Sequence, residues 1–299
     1  MYKSAHHPGT QLWCEGLGKY VSELVENDSV VELQETEKRW HLGASEIGNP
    51  CSRALWYGFR WATDIRHTGQ LLRLFRRGHS EEPKFVHRLR RIGIHVWDTD
   101  PNSTPDPVTG EFKQWRVSHP RNRHYGGSLD AKLWVPFVPP EFQYMLGEFK
   151  THGKDSFDKL LKEGVRKSKP KHYSQMCTYG EKEGFKFSLY CAICKNTDRL
   201  YYEVVPLSFE HTAMLDDKAI KIIEARTPPT KYSENSANIV CKQCDHRGVC
   251  HLFHPVAVSC RSCRHSNADP SGEWHCDLYR IVLERDLVKT GCASFQPIG

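Results

Sequence analysis

Seven of the chain's twelve cysteines lie between residues 241 and 292, and that clustering limits the possible folds more than any other feature. The N-terminal stretch MYKSAHHPGTQLW has no apolar segment, so no secretory signal is expected. A disulfide framework needs an oxidising compartment, and nothing here points to one. Thiols at short spacings suit a metal instead. Cys260-x-x-Cys263, with Cys276 and Cys292, offers one close pair and two spaced partners. That is the ligand set of a closed tetrahedral zinc site, with His265 or His275 able to replace one thiolate. Cys241-x-x-Cys244-x5-Cys250 supplies three thiolates and lacks a fourth. His246, His251 or His254 could complete it locally as zinc, and Cys51, in NPCSRALWY, could complete it at long range. Cys14, Cys177, Cys191 and Cys194 are expected to be small buried hydrophobes. Cys191-x-x-Cys194 has redox spacing, but SLYCAICK reads as a strand.

A length of 299 residues suggests about two domains. Aromatic residues at 11% argue against a disordered chain. No apolar run approaches about 18 residues, so no membrane span is expected and a cytoplasmic location is. The net charge of +6 permits a polyanionic partner without demanding one. Residues 1–50 read as helical and peripheral, with a breaker at Gly48-Asn49-Pro50. A helix is expected after Cys51, and apolar spacing predicts helix through 70–91. Strands are predicted in IGIHVWD, EFKQWRVSH, SLDAKLWVPFV and YMLGEFKT. A helix follows from Tyr173 to Lys182, then a hairpin around Asn196-Thr197-Asp198. Ser208 can cap a helix running to Arg226. Residues 227–237 read as a linker, and the chain beyond Cys241 as loop-rich. The expected fold class is α/β, with an N-terminal helical extension over 1–44, a core over 45–255 and a small Cys-rich, metal-bound C-terminal module over 256–299.

Within the core, GGSLD ends at Asp130, and LGEFK places Glu148 and Lys150 two apart on the next strand. Side chains alternate across a strand, so Glu148 and Lys150 share a face and Phe149 points the other way. Two carboxylates can hold a hard divalent cation through oxygen. A lysine beside them can polarise a water or neutralise developing phosphate charge. That equipment suits phosphodiester hydrolysis. Upstream, a helix carries Gly78-His79-Ser80-Glu81-Glu82-Pro83; downstream, Gln175 and Tyr179 lie four apart on another helix. Two segments are strongly basic: 66–91 at net +6 and 150–172 at net +5. Both suit phosphate attraction, which is sequence-independent. No recognition helix stands out.

Taken in order, these motifs resemble the PD-(D/E)xK nuclease superfamily, in its RecB-like and lambda-exonuclease-like branch. The likeness spans about residues 45–255. It implies a restriction-endonuclease-like core, a mixed central sheet flanked by helices. It implies Glu82, Asp130 and Glu148 as ligands of Mg²⁺ or Mn²⁺, with the Phe149 carbonyl completing the set. It implies Lys150 as the residue that orients the attacking water, Gln175 as its support or a phosphate contact, and Tyr179 as lining the DNA path; core packing is the alternative for Tyr179. Cys51 with Cys241, Cys244 and Cys250 is similar to the cysteine pattern of the iron–sulfur CRISPR-adaptation exonucleases and the AddB nuclease domain. There a [4Fe–4S] cluster ties the ends of the core together; zinc is the alternative here. The implied activity is a metal-dependent DNA exonuclease for recombination, end processing or phage replication. A structure-specific endonuclease on the same fold, or a non-enzymatic zinc-containing nucleic-acid binder, are the competing readings.

Overall fold

The computed structural model describes residues 8–33 and 38–298, with side chains of the first helix described from Gly16 onward. Cys14 thus lies outside the described side chains. The first half of the chain forms α1 (Pro8–Leu33), β1 (Leu42–Gly43), α2 (Ser52–Phe59), α3 (Gly69–His79), α4 (Glu82–Arg91), β2 (His95–Trp97), β3 (Arg116–His119), β4 (Asn122–Ser128), β5 (Ala131–Trp134) and β6 (Tyr144–His152). The second half forms α5 (Lys154–Ser168), α6 (Pro170–Glu183), β7 (Phe187–Cys194), β8 (Leu200–Pro206), α7 (Phe209–Glu224), the short α8 (Ile239–Lys242) and α9 (Arg247–His251), β9 (Ser266–Ala268), β10 (Trp274–Cys276), β11 (Ile281–Val282) and α10 (Arg285–Val288).

The described residues divide into two compact units, 8–33 with 65–81, and 38–64 with 82–298. In the smaller unit α1 and α3 are joined by charge: Arg73 pairs with Glu26 at 2.9 Å and Arg76 with Glu32 at 2.9 Å. The helical stretch predicted over 70–91 is therefore two helices, not one. Pro83 explains the break, because its ring clashes with a helical carbonyl at His79 and it has no N–H to give. Ser80 and Glu81 fall between the helices, and Glu82 starts α4 instead of lying mid-helix.

The larger unit is built on a five-stranded sheet, order β2-β5-β6-β7-β8, in which β6 and β7 are parallel and the other pairs antiparallel. A second sheet, β1-β4-β3, lies beside it in sequence. The α/β class with a mixed central sheet and flanking helices is the architecture the sequence led us to expect. The hairpin β7–β8 is also as expected, and Ser208 caps α7 by accepting from the His211 N–H at 3.1 Å. Cys51 caps α2 in the same way, its sulfur accepting from the Ala54 N–H at 3.4 Å. Among the described residues no helix is long and apolar enough to cross a membrane.

Residues 38–44 belong with the larger unit, because β1 pairs with β4 and Leu42 and Ala44 are buried. Residues 256–298 pack with that unit as well. The reason is Arg261, whose guanidinium lies against Trp40, Phe59, Trp61 and Trp274 at 4.3–5.6 Å. Trp274 is fully buried and its ring is 5.0 Å from that of Phe59. The segment read as loop-rich carries a three-stranded antiparallel sheet, β11-β10-β9.

Candidate functional site

Alternation along β6 sets the site. Glu148, Lys150 and His152 face one side of the sheet, in register with Tyr190, Ala192 and Cys194 of β7. Phe149 faces the other side and stacks on Phe85 of α4 with ring centroids 5.4 Å apart. Asp130, just before β5, reaches across to accept the Phe149 N–H at 2.7 Å. Lys150 Nζ is 3.6 Å from the Asp130 carboxylate and ion-pairs with Glu148 as well. The three residues singled out in sequence thus meet around one ammonium.

Glu148 is 0% exposed; one carboxylate oxygen faces the Lys150 ammonium, and the other is buried with no hydrogen-bond partner. Burial lifts its carboxyl to about 8 against the pull of Lys150, and the charges of Asp130 and Glu82 push the same way. Burial works against the Lys150 ammonium, but Asp130 and Glu148 outweigh it and hold its pKa above the ordinary value. Glu82, half-buried at the start of α4, is brought near enough for its charge to act on Glu148. Among the described residues no three His, Cys, Asp or Glu side chains are arranged as metal ligands. The donors themselves are all oxygen, which suits a hard divalent cation.

Gln175 and Tyr179 share a face of α6, and both are buried, at 6% and 2% exposure. A Cβ on Gly127 would collide with the Tyr179 hydroxyl. Tyr179 therefore packs tightly against β4. Burial raises its phenol, and the charges of Glu148 and Asp130 add to that.

Sequence reasoning missed a polar chain beside Lys150. The Tyr190 hydroxyl lies 2.8 Å from His152 Nε2 and 2.7 Å from His172 Nδ1. Ser156 Oγ is 3.3 Å from His152 Nδ1 and accepts from Lys169 Nζ at 2.5 Å. Burial, then the nearby lysines, hold His152 down at about 4, and burial with Lys150 holds His172 lower still. His152 lies two residues beyond Lys150, and His172 three residues before Gln175, so the strand and helix periods would have revealed both.

Cys51, Cys244 and Cys250 are close enough for their charges to act on one another. Cys241 is buried three residues from Cys244. His246, a local candidate, has Nδ1 engaged by the Thr63 hydroxyl at 3.0 Å. Cys260, Cys263, Cys276 and Cys292 line one cavity of about 20 Å³ together with His265. His275 is not among its lining residues and lies 3.9 Å from the Glu273 carboxylate. Cys177, Cys191 and Cys194 are buried, as expected of small apolar side chains.

No family model matches the chain, and no curated protein matches it. Among solved structures, the chain is similar to the alkaline exonuclease LHK-Exo from Laribacter hongkongensis, at 12% identity over 66% of this chain and 90% of that one, with a TM-score of 0.41. LHK-Exo in complex with dAMP gives 14% identity over 61% and 86%, with a TM-score of 0.42. SSO0001 gives 13% identity over 77% and 96%, with a TM-score of 0.45. Likeness at this level carries no weight for the site, which stands on its own geometry.

Proposed function

We propose that this chain is a metal-dependent DNA exonuclease that hydrolyses phosphodiester bonds, acting in recombination or end processing. The observation that carries the reading is the buried Glu148 carboxylate, one oxygen paired with Lys150 and the other without a donor, held beside Asp130. A purely structural glutamate would have its lone pairs filled by donors. Glu82, Asp130, Glu148 and the Phe149 carbonyl are the groups that would hold Mg²⁺ or Mn²⁺. A bound divalent ion supplies Lewis-acid stabilisation of the phosphate and of the departing 3′ oxygen. Lys150 holds and orients the attacking water, and Gln175 supports it from α6. The basic segments over 66–91 and 150–172 attract the DNA backbone.

Cys51, Cys241, Cys244 and Cys250 are proposed to hold a [4Fe–4S] cluster. Supporting Cys51 as the fourth ligand is its convergence on Cys244 and Cys250. A cluster there would close a loop of about two hundred residues, a constraint of several kcal/mol. Anaerobic preparation should give a brown protein that Cys51→Ser renders colourless.

The test of function is incubation of the full chain with linear and covalently closed circular DNA in Mg²⁺ or Mn²⁺. Loss of linear DNA from its ends with the circle intact is the expected result. Cutting of the circle supports the endonuclease reading instead. Binding of both substrates without cleavage of either sinks the enzyme assignment.

A further inference from the structure

We propose that Cys260, Cys263, Cys276 and Cys292 bind one zinc ion as a four-thiolate site whose net negative charge offsets the buried guanidiniums of Arg60 and Arg261. This inference does not rest on the nuclease reading.

Three observations carry it. First, three separate stretches bring the four thiols to one cavity. Cys260 and Cys263 sit in a tight turn, with the Cys263 N–H on the Cys260 carbonyl at 3.1 Å. Cys276 ends β10, and Cys292 follows α10. The cavity, about 20 Å³, has room for about one water-sized occupant, and Leu278, Leu283 and Phe295 complete its wall. A small apolar cavity ringed by four thiols suits a single soft-ligand ion, with the sulfurs drawn in to about 2.3 Å.

Second, two buried cations lie on the segments that carry or adjoin these thiols, and Arg60 feels the charges of Cys263 and Asp277. Arg261 is 0% and Arg60 1% exposed. Their hydrogen bonds run to the carbonyls of Arg39, Trp40 and Phe59, and of Ser266 and Ala225. Neither forms an ion pair with a carboxylate among the described residues, and the Nε of each is buried without an acceptor. Burying a cation without an ion pair is costly, so negative charge close by stabilises both guanidiniums. Third, a four-thiolate zinc site has two net negative charges, one for each guanidinium. Arg261 lies in sequence between Cys260 and Cys263, and the Cys263 charge already acts on Arg60.

The site is then a lock. It holds Arg261 in the ring of Trp40, Phe59, Trp61 and Trp274, and thereby the C-terminal strands on the core.

Two measurements on the full chain test the site. Zinc per chain should fall by one in Cys292→Ser and stay unchanged in Cys244→Ser. In the wild-type chain, N-ethylmaleimide mapping should find all four cysteines protected with zinc and labelled after chelation. Cys292 is exposed, so its thiol should react readily once the metal leaves. Labelling of Cys292 at one rate before and after chelation overturns the four-thiolate site, as does full zinc retention in Cys292→Ser. The charge balance is tested by melting Arg261→Met with and without zinc. The zinc-loaded variant should melt below the wild type, and stripping should shrink or reverse that difference. An equal difference in both states overturns the coupling.

Discussion

The carboxylate site and the arginine cage present the same electrostatic problem with opposite signs. At β6, Glu148 is buried with one orphaned oxygen and faces Asp130 across one ammonium. Near β10, Arg60 and Arg261 are buried with orphaned Nε atoms among aromatic rings. A chain tolerates such groups where something binds them, because desolvated charge without a partner destabilises the fold. The difference lies in what each region offers a counter-ion. The first has oxygen donors beside a lysine, suited to a hard cation and a phosphate. The second has sulfur donors around a closed cavity, suited to a structural ion. One region points to chemistry and the other to architecture.

The strongest way to break this comparison is to remove the ammonium of the first region. Lys150→Ala should cut cleavage of linear DNA on the order of a thousandfold, as loss of one preorganised charge does elsewhere. Circular dichroism should show the fold intact. Cleavage at the wild-type rate would remove the chemical role from this face and leave it a buried salt bridge.

A second test uses the histidines that each region keeps neutral. Burial holds His152 at about 4 with help from Lys150, and holds His124 at about 4 with help from Arg261. An unfolded histidine titrates near 6.5, so the native state binds fewer protons below that pH. Stability is then full above about 6.5 and is lost as the pH falls toward 4, by about 3 kcal/mol per buried histidine. Urea midpoints measured across that range should fall for the wild type and flatten in His124→Gln and His152→Gln. A flat wild-type profile would mean that neither cation sits where the comparison needs it.

Metal-linked stability sharpens the contrast further. Mn²⁺ at a hundredfold excess over its dissociation constant should add about 2.7 kcal/mol to the stability of the wild type. Asp130→Asn should abolish that gain while leaving the zinc content unchanged. A gain that persists in Asp130→Asn but vanishes in Cys292→Ser would interchange the roles of the two regions.

Much of this was legible from periodicity alone. Glu148 and Lys150 had to share a face, and Phe149 had to oppose them, whatever the rest of the chain did. The hairpin of β7 and β8 and the cap at Ser208 were local, and local signals survive tertiary packing. α5 was not read, because its lysines masked an apolar stripe of Phe157, Leu160 and Val165, and Gly164 interrupts it at φ +69°. The docking of residues 256–298 was invisible because it depends on Arg261, a charged residue that no hydrophobic pattern places inside. The split after α3 was written at Pro83, but the apolar spacing on both sides hid it. The His152–Tyr190–His172 chain joins three elements, and only the sheet register brings it together.

The smallest effect concerns how tightly the chemical face is packed from beneath. Gly127 of β4 leaves room for the Tyr179 hydroxyl, and a Cβ there would strike it. Gly127→Ala should therefore cost about 1–3 kcal/mol, as overpacking does in a close-packed interior. Tyr179→Phe alone should cost less, about 1 kcal/mol or under, the worth of a single hydroxyl interaction. The pair should couple: with the hydroxyl gone, the alanine methyl meets less, and the double variant should recover part of the loss. Urea melts of the four chains measure the cycle. Additive costs would mean that the ring, not the hydroxyl, fills the space under β4. A Tyr179→Phe chain of normal stability that binds DNA tenfold more weakly would return Tyr179 to the substrate path and make this face more open than the structure has it.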